Sequence, residues 1–437
     1  MANVSWTVHD LRRKLASDAI RPTELAEKAL SRANQSPNRN TYLWQDAAWT
    51  SAEAMRAGEM PRGSGGPFGD GRSALWGLPV SVKDCFDLAG APTSCGTLFY
   101  RDLKGRAAQD SWVVKQLRLA GAVIIGKTHV HPLTYGITGE NPDFGDCLLP
   151  GDPGALTGGS SSGAVASVLE GSAVAAIGTD TGGSVRVPAA LSGLAGYRTT
   201  IGRGDWSGGA HLAESFDTLG WLFRDLEDAP LLAEFYAPGM RASLSKFTRF
   251  AVVADNFLGD CEPQVLAGFR STIRELELLG LEARTIEPEW WSESREIFAQ
   301  IQAWEAARLH AGYFDSFQSA IRERLEMGAR ITPAEITKLR KRHSDFNARM
   351  DDLFAAHQLI MFPCAPVARL AAGADHSQTR AHLLRYTTPF SLVGVPVVAI
   401  PCARGGMQLA AARGQDEALV QLAATLGAQR KSTLTSH

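Results

Sequence analysis

The sequence predicts an α/β protein: α/β/α layers around a mixed, mostly parallel sheet, with a helical insertion. Three observations predict it. Apolar strand patterns, LPVSV (78–82), AVIIG (122–126) and SAVAAIG (172–178), alternate with helical patterns, and such alternation implies parallel pairing with helices on both faces of the sheet. Two glycine-rich segments, TGGSSSG (157–163) and TDTGGSVRVP (179–188), adjoin strand candidates, and α/β sheets place their sites at strand ends. Residues 290–358 read as helix and hence as an elaboration of the layers. The 437 residues are expected to form a single domain, with N-terminal helices and a glycine-rich loop in 1–75, the core motifs in 76–225 and the insertion in 290–358.

Taken in order, residues 7–57 are largely helical in pattern, with Leu25, Ala29 and Leu30 on one face of a segment begun near Pro22. GEMPRGSGGPFGDGRS (58–73) holds six glycines and two prolines and suits a boundary or a mobile crossover. From Asp110 to Ala120, Val113, Val114 and Leu117 recur at helical spacing, and Gly121 reads as the helix C-cap. GAVIIGKT (121–128) spells G-x-x-x-x-G-K-[ST], the string of a nucleotide-binding P-loop. A P-loop needs a flexible turn whose N–H groups wrap phosphates, whereas Ala122, Val123, Ile124 and Ile125 favour a buried strand. Pro132 and Gly136 then oppose the long helix that should open at a P-loop lysine, so the stretch is read as helix cap and core strand. Further on, RFAVVAD (249–255) predicts a strand, Pro263 to Leu279 a helix, and LIMFP (359–363) and PVVAIP (396–401) late strands returning to the sheet.

Composition excludes several classes. At 45% hydrophobic and 21% charged the chain is ordinary for a soluble globular protein, and its net charge of -2 gives no general pull towards nucleic acid or an anionic membrane. The basic run KLRKRH (338–343) falls in a helix opened by Thr332, Pro333 and Glu335, a capping-box pattern, and reads as a solvated face. MANVSWTVHDLRR lacks the apolar stretch of a secretory signal, so a cytoplasmic location is expected. PFSLVGVPVVAIP (389–401) is short and holds three prolines, which suits a buried loop and strand better than a membrane span. Six cysteines, at 85, 95, 147, 261, 364 and 402, form no C-x-x-C pair and read as free thiols.

Chemistry concentrates in the two glycine-rich segments. Gly182 and Gly183 immediately precede Ser184; glycines let consecutive N–H groups converge in one concavity, as a tetrahedral oxyanion requires. An isolated GGS equally suits a turn with a capping serine. Residues 159–163 also satisfy G-x-S-x-G, which would make Ser161 a nucleophile on an elbow, but an elbow follows directly on a strand and CLLPGDPGAL is broken by Pro150, Gly151, Pro153 and Gly154. None of the ten histidines adjoins either loop; His129 and His131 lie one strand away and His211 follows a glycine pair. Two histidines without a third recognisable ligand make a weak metal site, and no metal is expected. A lysine serves as base when burial disfavours its charged form. Lys83 ends the strand LPVSV; the alternative for it is a surface pair with Asp84.

SVKD (81–84), GGSSSG (158–163) and GTDTGGSVRVPAALSGLAGYR (178–198) together resemble the amidase signature family of Ser-cisSer-Lys hydrolases: three motifs in order, with 24 residues from Ser160 to Ser184. The likeness covers at least 75–225, and GENP (139–142) and SFDTLGWLFRD (215–225) bring it closest to indole-3-acetamide amidase-like members. The resemblance implies one amidase signature domain over 1–437, with Ser184 as nucleophile, Ser160, preceded by a cis peptide bond, as proton shuttle, and Lys83 as general base. It implies an oxyanion hole from the N–H groups of Thr181, Gly182, Gly183 and Ser184, support from Asp180 and Arg186, and pocket walls near Tyr135, Ile137, Gly209 and Phe216. The implied reaction hydrolyses small or aryl-substituted amides through an acyl-enzyme, extends to esters or carbamates, and needs neither metal nor organic cofactor. The implied partner is a small-molecule amide, without nucleic acid or membrane, for a monomer or homodimer. One alternative is a non-catalytic receptor on the same fold, opposed by intact Lys83, Ser160 and Ser184; the other is a glutamine-hydrolysing amidotransferase subunit. Thr157, Cys85 and HVHPLTY depart from the family pattern near where such enzymes contact substrate, and so bear on substrate choice.

Overall fold

The computed structural model describes residues 6–35, 40–61, 63, 66–236 and 247–435; residues 62, 64 and 65 of the glycine-rich loop lie outside these. Its strands are β1 (Tyr42–Trp44), β2 (Pro79–Lys83), β3 (Val123–Thr128), β4 (Leu148–Leu149), β5 (Asp152–Leu156), β6 (Ala175–Thr179), β7 (Ala195–Arg198), β8 (Leu219–Phe223), β9 (Arg249–Val253), β10 (Glu282–Ile286), β11 (Leu359–Pro363), β12 (Leu370–Ala371), β13 (Val397–Pro401) and β14 (Gly406–Ala411). Eleven pair in one sheet in the order β1-β3-β2-β6-β8-β7-β13-β14-β11-β9-β10, and β12-β5-β4 form a side sheet.

The expected mixed α/β sheet is present, with less parallel pairing than the sequence pattern suggests. Parallel pairs form two groups, β3-β2-β6 and β11-β9-β10, while β6-β8-β7-β13-β14-β11 run antiparallel. Only residues 402–405 join β13 to β14, too short a link for the crossover that parallel strands require. β2, β3 and β6 are buried along their whole length, as continuous apolar runs between helical layers should be.

GAVIIGKT is scaffold, as its composition implies. Gly121 takes φ +75° after the helix Trp112–Leu119, and the chain then enters β3. Lys127 is fully buried; it forms an ion pair with Asp84 at 2.7 Å and donates to the Pro92 carbonyl and the Thr93 hydroxyl. The P-loop lysine of the string therefore braces the turn that follows β2.

The insertion comprises three helices, Ser294–Leu309, Ser319–Ala329 and Pro333–His357. Thr332 and Glu335 form the expected reciprocal capping box. KLRKRH is only partly a solvated face: Lys338 and Lys341 are exposed, but Leu339 is buried, Arg340 pairs with Glu305 and His343 bonds the Leu392 carbonyl at 2.7 Å. PFSLVGVPVVAIP also differs from expectation, since its first half continues the helix Thr379–Val393 with Pro389 inside it. All six cysteines are free. Among the described residues no helix is long and apolar enough to cross a membrane.

Replacing one partner of the buried Lys127–Asp84 pair strands the other charge. Lys127→Met is expected to cost about 3 kcal/mol or more, seen as an earlier denaturant midpoint; an unchanged midpoint contradicts the bracing role.

Candidate functional site

Three segments meet at the ends of two neighbouring parallel strands. β2 and β6 pair with Val82 opposite Ile177, so their last residues, Lys83 and Thr179, emerge together. Lys83 is fully buried, and its Nζ donates to Thr179 Oγ1 at 2.7 Å and to Ser160 Oγ at 2.7 Å. Burial lowers the amine from its ordinary value to about 8, against weaker opposing attraction from the Asp180 and Asp217 carboxylates. The surface pair with Asp84 is not formed, because Asp84 is committed to Lys127 and to the Ser94 N–H at 3.0 Å.

Ser160 follows a cis peptide bond from Gly159. Its neighbour Ser161, the candidate of the G-x-S-x-G string, is fully buried, and its hydroxyl donates to the Thr179 carbonyl at 3.4 Å. A strand, β5, does precede this loop, but it belongs to the side sheet. His129 holds Ser162 Oγ at 2.8 Å and the Gly145 carbonyl at 2.9 Å, and burial lowers its pKa to about 4. Both of its ring nitrogens are thus engaged in local packing.

The second loop is organised by Asp180. Its carboxylate accepts from Gly183 N at 2.8 Å, Val185 N at 3.2 Å, Arg186 Nε at 3.0 Å and Arg198 Nη1 at 2.8 Å. Burial alone would raise this carboxyl, but the Arg186 and Arg198 guanidiniums hold it well below the usual carboxylate range. Arg186 also reaches Gln408 on β14 at 2.8 Å and Ser391 at 2.7 Å, tying the loop to late parts of the chain. Thr181 Oγ1 donates to Asp217 at 2.6 Å, and Asp217 in turn accepts from His211 Nδ1 at 2.9 Å and Leu212 N at 2.9 Å.

Two glycines here have steric reasons. Gly183 has φ +125°, and a Cβ on it would lie 2.8 Å from Thr387 Cγ2. A Cβ on Gly182 would lie 2.8 Å from Phe298 Cζ of the insertion. Of the four N–H groups expected to face an oxyanion, that of Gly183 is turned to Asp180. The hydrogen bonds of the described residues leave those of Thr181, Gly182 and Ser184 untaken.

Ser184 lines a narrow, open cleft together with Tyr135, Ile137, Thr181 and Gly182. Two of the expected wall residues lie elsewhere. Gly209 bridges to Phe86, where the aromatic ring fills the space a side chain would take. Phe216 is fully buried against Phe298, their ring centres 4.9 Å apart. Sequence reasoning missed Thr179, Asp217 and Arg198, and the cleft residues Gln302, Arg380 and Leu384. Thr179 had a signal, standing where β6 ends beside β2, and Arg198 and Asp217 stand inside the motif stretches 178–198 and 215–225.

A sequence model described as Amidase matches residues 23–420. An indoleacetamide hydrolase from Pseudomonas savastanoi is 37% identical over 52% of this chain and 47% of its own, so the match spans about half the length of that relative. One subunit of a glutamyl-tRNA(Gln) amidotransferase from Roseiflexus castenholzii is 28% identical over 95% of this chain and 94% of its own. A crystal structure of an amidase superposes with a TM-score of 0.86 at 29% identity, covering 97% of this chain and 100% of the other.

Asp180→Asn removes the anion between two buried guanidiniums and is expected to destabilise the fold by about 3–5 kcal/mol. Because the folded carboxyl lies below its unfolded value of about 3.9, the stabilisation is complete above that pH and is lost as pH falls towards the folded value. Denaturation midpoints from pH 7 down to 3 should fall more steeply for wild type than for Asp180→Asn; parallel profiles contradict the assignment.

Proposed function

The chain belongs to the amidase family, and from that premise we propose that it hydrolyses the C–N bond of small or aryl-substituted amides, with Ser184 as nucleophile, Ser160 as proton shuttle and Lys83 as general base. The single observation that carries this reading is the buried Lys83 amine held 2.7 Å from Ser160 Oγ with its pKa lowered to about 8. A lysine in that state is substantially neutral near pH 8 and accepts a proton that a surface ammonium does not. Lys83 draws a proton through Ser160 as Ser184 Oγ attacks the amide carbon, and the tetrahedral oxyanion meets the N–H groups of Thr181, Gly182 and Ser184. Collapse breaks the C–N bond as Ser160 protonates the leaving nitrogen. Water then attacks the acyl-enzyme by the same relay, releasing the acid and returning the proton. Asp180 and Arg186 fix the loop that presents Ser184. The same chemistry extends to esters and carbamates, whose leaving groups need less protonation.

A second reading, in which the chain releases ammonia from glutamine within a larger amidotransferase, draws on the near full-length similarity to the Roseiflexus protein. Amine or ammonia release from aryl amides, aliphatic amides, carbamates and glutamine separates the two.

Ser184→Ala is expected to lower kcat by at least about 10³-fold on every substrate turned over; retained turnover sinks the assignment. For wild type, the neutral fraction of Lys83 grows with pH, so kcat/KM should rise about tenfold per unit below pH 8 and level off above it. A profile flat from pH 6 to 9 removes Lys83 from the role of base.

A further inference from the structure

The cleft holds a cation that the proposed chemistry does not use. Arg380, in the first turn of the helix Thr379–Val393, lines the cleft with Ser184. Its nearest polar contact is weak, Nη2 to Gln302 Oε1 at 3.4 Å, and its guanidinium lies 5.7 Å from the Tyr135 ring. On that same ring sits a second guanidinium, Arg324, at 4.4 Å, which donates to the Tyr135 and Ala320 carbonyls. Among the described residues neither arginine has a carboxylate partner within ion-pair distance, and no Asp or Glu lines the cleft. Arg380 and Arg324 are partly buried, whereas the fully buried arginines each meet a carboxylate: Arg12 pairs with Asp70, and Arg186 and Arg198 share Asp180.

Burial lowers the pKa of Arg380 in the cleft wall and of Arg324 behind Tyr135, and the proximity of Arg380 lowers Arg324 further, to about 9. Two partly buried like charges without a counter-ion are costly, and a planar guanidinium at a cleft wall matches a carboxylate through paired N–H donors. Resting on the amidase reading, we infer that the substrate is an amide bearing a carboxylate and no ammonium group, with the carboxylate held by Arg380 while the amide carbonyl lies at Ser184. Ile137, Leu212 and Leu384 on the same walls suit the hydrocarbon spacer between the two groups. The missing cleft carboxylate argues against glutamine, whose ammonium would be desolvated without a partner.

The test compares the monoamide of glutaric acid, its α-amino derivative glutamine, and neutral pentanamide. Wild type is expected to favour the glutaric monoamide over pentanamide in kcat/KM by about 10–100-fold, the range of one charge-assisted hydrogen-bonded pair, and to favour it over glutamine as well. In Arg380→Ala the ratio of anionic to neutral amide should collapse towards one, mainly through KM, and Arg380→Lys should restore part of it. Equal use of all three amides by wild type, or a ratio unchanged in Arg380→Ala, overturns the inference while leaving the hydrolase intact. Calorimetric titration of glutaric monoamide into Ser184→Ala and Ser184→Ala/Arg380→Ala reads binding without turnover. At least tenfold weaker binding to the double variant supports the carboxylate site even if the hydrolase reading fails, and equal affinity rejects it.

Discussion

A lysine amine removed from water and given two hydroxyls in place of a carboxylate is the interaction on which this site depends. Lys83 is fully buried between Ser160 and Thr179, and the acidic groups near it are already committed. Asp84 is paired with Lys127, Asp180 with Arg186 and Arg198, and Asp217 with Thr181 and His211. With no counter-ion released to it, the amine sheds its proton more readily than an exposed lysine. The neutral form can still hydrogen-bond both hydroxyls, so the fold tolerates it without stranding a buried charge.

The same economy shapes the loop around Ser184. Asp180 gathers backbone N–H groups and two guanidiniums into one network, so the loop conformation is fixed by charge before any ligand arrives. Arg186 then extends that network to Gln408 and Ser391, more than two hundred residues further along the chain. The last third of the molecule is thereby part of the site's scaffold, although it supplies none of the proposed triad. Gly182 and Gly183 complete the arrangement because the insertion and the helix Thr379–Val393 pack directly onto them.

What the sequence disclosed follows from how local each signal is. Apolar runs marked β2, β3, β6, β9 and β11, and the Lys83, Ser160 and Ser184 motifs sit in segments that the adjacent β2 and β6 bring together. β7 and β8 were hidden: AGYR and LGWLF are short, glycine-containing and embedded in motif residues, and their antiparallel placement between β6 and β13 arises from tertiary pairing. β5 reads as a turn because Pro153 and Gly154 interrupt it, yet pairing with β4 and β12 holds it extended. The cleft walls were least legible. Gln302, Leu384 and Arg380 come from helices whose pattern does not show which face meets a loop about 120 to 200 residues away, and Arg380 in QTRAHLLRY looks like any solvated helix charge. Phe216, a pocket wall only through the family resemblance, is fully buried against Phe298.

The most direct test of the central claim is the pH dependence of covalent labelling by an uncharged aryl sulfonyl fluoride, with the modified residue located by peptide mass spectrometry. The account predicts one adduct, on Ser184, whose rate of formation rises through an apparent pKa near the value of about 8 set for Lys83 by burial, and slow, pH-insensitive labelling in Lys83→Met. An adduct on Ser161 or another serine, or a wild-type rate that ignores pH between 6 and 9, would contradict it.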